Sequence, residues 1–317
     1  MPALNSERFI GEAVQSVLDQ TFTDLELLVV DNGSTDTTRE VVERFADPRI
    51  AMLSEPRQGI SRAMNAGLQA ARGTFISRLD SDDVWLPELL ETLVGVLESK
   101  PGVGLAYARA VGMDEERREL AAVWGRPLRY PDDALRSLAY MDTICNIAVL
   151  VRRECFECTG SFDVELRTSE DWDMWLRLAC YYRMVCVDRV LARVRVHSGS
   201  TTSPQGSRYG EVLEERRLVL DKLFARSDLP ARLRSMRGTA YSNVFVETGL
   251  RWLGKRELRR GARALIAGVR VSPRPAFTAA RILWFGLSGE VLSRHRLGRR
   301  FAAGVERLGR RLRGGAR

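Results

Sequence analysis

The chain has 317 residues, 45% hydrophobic and 28% charged, enough for one large domain with an appendage or for two small domains, and too apolar for a disordered chain. Its net charge of +8 is uneven: residues 251–317 hold about 18 basic and 3 acidic side chains, roughly +15, which leaves about −7 on the first 250. An acidic body with a basic tail, and no recognition motif beside the charge, excludes nucleic acid as the expected partner.

In chain order, Ser6 is placed to cap a helix carrying Phe9, Ala13, Val14, Val17 and Leu18 at helical spacing. Leu25–Val30 reads as a buried strand running into the turn Asp31-Asn32-Gly33-Ser34. A helix over Thr35–Phe45, a strand over Ile50–Leu53 and a helix over Ile60–Ala71 follow. Thr74–Leu79 is a strand that delivers Asp80-Ser81-Asp82-Asp83, and Pro87 opens the next helix at its first turn. Val103–Val111 and Ile147–Val151 read as strands, Glu170–Tyr182 as a helix, and Val194–Val196 as a short strand ending at His197. Beyond Arg208 the pattern is helical and increasingly rich in arginine. Alternating strands and amphipathic helices predict an α/β mixed sheet of Rossmann-like, nucleotide-binding type over residues 1–205, and a helical basic extension over 206–317.

Such a sheet normally opens on a strand, whereas here a helix follows almost at once, so the first strand is expected to be truncated to Met1. Five scattered cysteines and no recognisable leader argue against a disulfide framework and for a reducing compartment. Cys155 and Cys158 have half-zinc spacing, but no second pair completes it. The most apolar stretch, Ala276–Leu292, is broken by Arg281 and Glu290, short of a spanning helix.

Asp80, Asp82 and Asp83 repel one another unless a cation or hydrogen bonds offset them. Hard oxygen donors of this kind suit Mg²⁺ or Mn²⁺, and His197 is a plausible added ligand. In isolation the same tetrapeptide reads as a solvated turn. Asp31 and Asn32, at another strand end, could hydrogen-bond a pyrimidine or simply form an Asx-type turn. Glu170 and Asp171 open a helix, where carboxylates gain from the macrodipole, or else Asp171 serves as a general base.

Taken together, Pro2-Ala3-Leu4-Asn5, "SVLDQTFTDLELLVVDNGSTDTT", "QGISRAMNAGLQAARGTFISRLDSDDVWLP", "GSFD", "SEDWDMWLRL" and "RVHSGSTT" resemble the family-2 glycosyltransferases, over roughly residues 1–205. That resemblance implies a GT-A type fold and an inverting transfer from a nucleotide-diphosphate sugar, UDP or dTDP, to a hydroxyl of a saccharide or lipid-linked acceptor in cell-envelope synthesis. It implies that Asp31 and Asn32 contact the base and that Asp80 lies near the ribose. Asp82, Asp83 and His197 would hold the metal, Asp171 would be the base, and Glu170 would position the acceptor. Arg62 and Asn65 would border the nucleotide. Two positions depart from the pattern: Leu4 stands where an aromatic residue often stacks on the base, and Asn32 where a second aspartate is common. Because the family's first strand precedes the Pro-x-x-Asn stretch, Met1 is expected to be internal to a longer reading frame. The basic tail admits an anionic membrane surface as partner, hence a cytoplasmic, peripheral location on the inner face of the cell membrane, or a helical subdomain. A nucleotidyltransferase would need a Gly-rich phosphate loop, which Met1–Arg8 lacks. A non-catalytic binding module is disfavoured by Asp82 and Asp171.

Overall fold

The computed structural model describes residues 1–197, 199 and 209–288. The elements in order are β1 (Pro2–Ala3), α1 (Ile10–Leu18), β2 (Leu27–Asp31), α2 (Thr38–Glu43), β3 (Ile50–Ser54), α3 (Ile60–Ala70), β4 (Phe75–Ser77) and β5 (Val84–Trp85). Then come α4 (Leu89–Ser99), β6 (Val103–Met113), β7 (Glu119–Trp124), α5 (Ala134–Tyr140), β8 (Val149–Arg152), α6 (Glu154–Thr159), α7 (Glu170–Ala179) and β9 (Arg183–Arg195). Helices α8 (Tyr209–Ala225), α9 (Ala231–Arg234), α10 (Arg237–Gly254), α11 (Leu258–Val271) and α12 (Pro275–Ser288) complete it. Two compact units divide between Arg226 and Ser227, later than the division expected near residue 205. Helix α8 belongs to the first unit because it is tied to α7 by Lys222, whose ammonium meets Asp163 and Asp173 at 2.7 Å each.

In the first unit, strands β1, β2 and β3 run parallel, and a mixed sheet has the order β4-β8-β6-β9-β5 with β7 on β6. Within it β6 and β9 are parallel and the remaining pairs antiparallel. The opening strand is short, as expected, but holds Pro2 and Ala3, which pair with Val30 and Asp31, and the Met1 nitrogen donates to the Leu28 carbonyl at 2.8 Å. Ser6 does not cap α1 with its side chain, because its hydroxyl is spent on Ser81 at 2.7 Å.

The apolar residues of α1 (Ile10, Ala13, Val14, Val17) and of α4 (Leu89, Leu93, Leu97) belong to one core with the small residues Ala106, Ala108 and Ala110 of β6, on which α4 packs while α1 packs on β5. Alanine on the strand lets α4 approach, and each buried leucine contributes about 1.5–3 kcal/mol by leaving water. Strand β9 is much longer than the three residues expected, since Arg183, Asp188, Arg189 and Arg193 hide its alternation from a reading of apolar runs. The central position of Leu93, with no exposed surface, sets an expectation. Leu93→Ala destabilises the first unit by about 2–5 kcal/mol, read as a lower denaturation midpoint at unchanged slope.

Candidate active site

Strand β4 and the residues after it bring Arg78 and the acidic turn to the carboxyl end of the sheet. Arg78 is buried, with Nε donating to Asp80 Oδ1 and Nη1 to Glu170 Oε1, both at 2.9 Å. Burial alone would lower its pKa, but the carboxylates of Asp80, Glu170 and Asp171 outweigh burial and hold it above the ordinary value. Asp80 also receives Asn146 Nδ2 at 3.4 Å. One guanidinium thus joins the acidic turn to the first turn of α7.

A second buried arginine holds the other end. Arg195, the last residue of β9, donates through Nε to the Asp82 carbonyl at 2.9 Å and through Nη2 to Glu12 Oε2 at 2.7 Å. Its guanidinium lies 4.6 Å from the Phe9 ring centroid. Its amide donates to Asp83 Oδ1 at 2.7 Å. Asp83 is therefore turned inward: burial, then the charges of Asp82 and Asp80, raise its carboxyl well above the usual range. Its expected place is as a ligand beside Asp82; in this structure its carboxyl accepts the Arg195 amide and braces β9. Asp82 instead faces His197, with Oδ2 and Nε2 2.9 Å apart, and the imidazole rests 5.0 Å from Phe9.

At the end of β2, Asp31 Oδ1 accepts the Ser34 amide at 2.9 Å, and Oδ2 lies 3.6 Å from Arg39. Asn32 differs from expectation. Its amide donates to the Glu55 and Arg57 carbonyls at 2.7 and 3.0 Å and accepts the Gly59 amide at 2.8 Å. Three local bonds leave that side chain little capacity to read a base; it shapes the loop that enters α3, where Gly59 adopts φ 141°. Asn65 is spent likewise, exchanging two bonds with the Phe162 backbone at 2.9 and 2.8 Å. The Arg62 side chain, on α3 between Gly59 and Asn65, makes no hydrogen bond or ion pair among the described residues, although its charge helps to lower the Glu55 pKa, and the residue is partly buried.

Helix α7 opens on Glu170 and Asp171. Burial and then the charge of Asp171 raise Glu170 to about 7 against the pull of Arg78. Burial and then Asp142 raise Asp171 to about 6. The helix is anchored by Trp172 Nε1 on the Leu138 carbonyl at 3.1 Å. The segment before it is held by Glu215 of α8, whose carboxylate accepts the Thr168 amide and hydroxyl at 2.8 Å each.

Among the described residues, no group of three or more His, Cys, Asp or Glu side chains is arranged to hold a metal ion. Asp82 and His197 nonetheless fit a divalent cation as a partial shell, because both are partly exposed and Mg²⁺-like ions take one or two protein donors and complete their coordination with phosphate oxygens and water. Sequence reasoning missed Arg78, Arg195, Glu12, Asn146 and Asp142. The available signal was an arginine inside each of two otherwise apolar strand endings, "ISRLD" and "VRVH".

Residues 1–160 match the family model described as Glycosyl transferase family 2. Chondroitin synthase of Escherichia coli is 29% identical over 198 residues, 60% of this chain, which spans 28% of that protein's length. S. aureus TarS 1–349, solved in complex with UDP-GlcNAc, is 19% identical with a TM-score of 0.65, over 97% of this chain and 90% of that one. The mannosyltransferase PcManGT of Pyrobaculum calidifontis, solved in complex with GDP-Man and Mn²⁺, is 20% identical with a TM-score of 0.60, over 95% of this chain and 81% of that one. These two likenesses show the fold.

The Arg78 bridge gives a stability expectation. Arg78→Met leaves Asp80 and Glu170 without their shared counter-charge and costs about 3–5 kcal/mol, measured by chemical denaturation.

Proposed function

The chain belongs to glycosyl transferase family 2 with a GT-A type fold, and on that premise we propose that it moves a sugar, with inversion, from a nucleotide-diphosphate donor to a hydroxyl acceptor. The observation that carries the reading is the Arg78 bridge. It holds the first turn of α7, with Asp171 following Glu170, against the turn that presents Asp82.

In this reading Asp82 and His197 hold Mg²⁺ or Mn²⁺, which when bound neutralises the leaving diphosphate. Arg62, whose guanidinium makes no direct ion pair among the described residues, faces the donor's phosphates or ribose, and Asp80 lies on the ribose side. Asp31 contacts the base, while Asn32 supports the adjoining loop. Asp171 accepts the proton of the acceptor hydroxyl as its oxygen bonds to the anomeric carbon, and the bond from that carbon to the diphosphate breaks. Glu170, fixed by Arg78, orients the acceptor.

The donor is proposed to be a UDP- or dTDP-sugar; UDP-GlcNAc in TarS supports uridine. The acceptor is proposed to be a saccharide or lipid-linked saccharide of cell-envelope synthesis, which the chondroitin synthase likeness supports.

A base with a pKa near 6 works in its deprotonated form. Turnover is therefore full above that pH and falls about tenfold per unit below it. The pH profile of kcat/KM tests this, and a flat profile from pH 5 to 8, a range of roughly that width about the pKa, would refute it. Asp171→Asn should lower transfer about 10²–10⁴-fold while donor binding by calorimetry persists; unchanged turnover would remove Asp171 from the role. A separate pair of variants divides the acidic turn. Asp82→Asn should weaken Mn²⁺ binding, whereas Asp83→Asn should act through thermal stability. Equal loss of Mn²⁺ affinity in both would contradict the inward placement of Asp83.

A further inference from the structure

The second unit carries a surface that transfer chemistry does not use. Helices α10 and α11 are locked by a seam of small residues. A Cβ on Gly249 would lie 2.6 Å from Leu265 and 3.0 Å from the Gly261 carbonyl, and one on Gly261 would lie 2.7 Å from Leu253. With Gly268 also buried, this seam fixes the rotation of α11 about its axis and determines which residues point away.

The residues pointing away form one row. Arg259, Arg263, Ile266 and Arg270 follow at i, i+4, i+7 and i+11, a spacing that places them within about 60° of one another on a helix of 3.6 residues per turn. All four are exposed. Arg274 continues the charge past the end of α11. Other arginines of this unit are engaged: Arg251 with Glu247, Arg260 over Trp252, and Arg281 with Asn243. The guanidinium groups of Arg259, Arg263, Arg270 and Arg274 make no hydrogen bond or ion pair among the described residues.

One apolar side chain shares this face with the charge: Ile266, inside the arginine row, is 52% exposed. A helix that presents cations and apolar side chains outward lies in the interface of a bilayer, its arginines at the acidic headgroups and its apolar side chains among the first methylenes. An RNA-binding row would gain nothing from an exposed isoleucine at its centre. Among the described residues no helix is long and apolar enough to cross a membrane.

We infer that the outward face of α11, carrying Arg259, Arg263, Ile266 and Arg270, docks on an anionic phospholipid surface. The inference is independent of the proposed reaction. It is tested by flotation of the full chain with vesicles of phosphatidylcholine alone, or with about 30 mol % phosphatidylglycerol. The protein should float with the anionic vesicles only and be released at about 0.5 M salt, where charges are screened beyond a few ångströms. The triple variant R259Q/R263Q/R270Q should partition about a hundredfold less, since each arginine near such a surface contributes roughly a fivefold effect. Ile266→Ser should weaken binding without changing its salt dependence, and a melting curve matching the unsubstituted chain confirms that each variant is folded. Absence of flotation, equal flotation with neutral vesicles, or a folded triple variant that floats normally would overturn the inference. Competition by a single-stranded RNA that prevents flotation while the triple variant still binds lipid would also overturn it.

Discussion

Like charges cannot be concentrated in a low-dielectric site without a counter-charge, and Asp80-Ser81-Asp82-Asp83 is where this fold meets that constraint. Two buried arginines meet it from opposite sides. Arg78 reaches Asp80 from within the sheet, and Arg195 reaches the Asp82 carbonyl and, through its amide, Asp83. Removing two guanidinium ions from water is costly, and the cost is offset only where every donor finds an acceptor. Arg195 meets Glu12, the carbonyls of Asp82 and Asp114, and the Phe9 ring. The turn is therefore set by α1, β9 and the sheet together, rather than by its own residues.

The same constraint couples the acidic turn to the first turn of α7. Because Arg78 is shared by Asp80 and Glu170, the register of α7 follows that of the acidic turn. Its charge also sets the proton affinities of Glu170 and Asp171. Burial pushes both up, and Arg78 pulls both back. A base needs a proton affinity high enough to take a hydroxyl proton and low enough to be ionised near neutrality. Burial and one nearby guanidinium together place Asp171 in that interval.

Much of this was legible in the sequence, and the rest was hidden for identifiable reasons. Apart from the two-residue strands β1 and β5, the order of strands and helices through Ser99 followed from apolar periodicity, and Asp82, Asp171 and His197 stood at or beside predicted element ends. Strand β9 was not legible beyond its last residues, since its outward face is charged. Asn32 and Asn65 were read as ligand contacts because an amide beside a pocket does either job, and only the bonds to Glu55, Arg57, Gly59 and Phe162 assign them to loop support. Arg78 and Arg195 were not singled out because an arginine in a strand reads as a surface residue until its carboxylate partners, distant in sequence, are known. The division near residue 205 followed composition, whereas the compact unit follows the ion pairs of Lys222.

Those ion pairs give α8 a place in the chemistry despite its position beyond the segment that matches the family. The segment 163–168 that leads into α7 has little regular structure of its own. It is held at one end by the Asn65–Phe162 clasp and at the other by Glu215, with Lys222 tying Asp163 to Asp173 between them. A base at a helix N-terminus works only if that terminus stays within hydrogen-bond reach of the acceptor, and an error of about 1 Å costs roughly a hundredfold in rate. Arg78 fixes Glu170 from the side of the acidic turn and α8 fixes the preceding loop, so Asp171 is constrained from two directions. The family match lies in residues 1–160, but the geometry around Asp171, the proposed base, depends on the chain as far as Lys222.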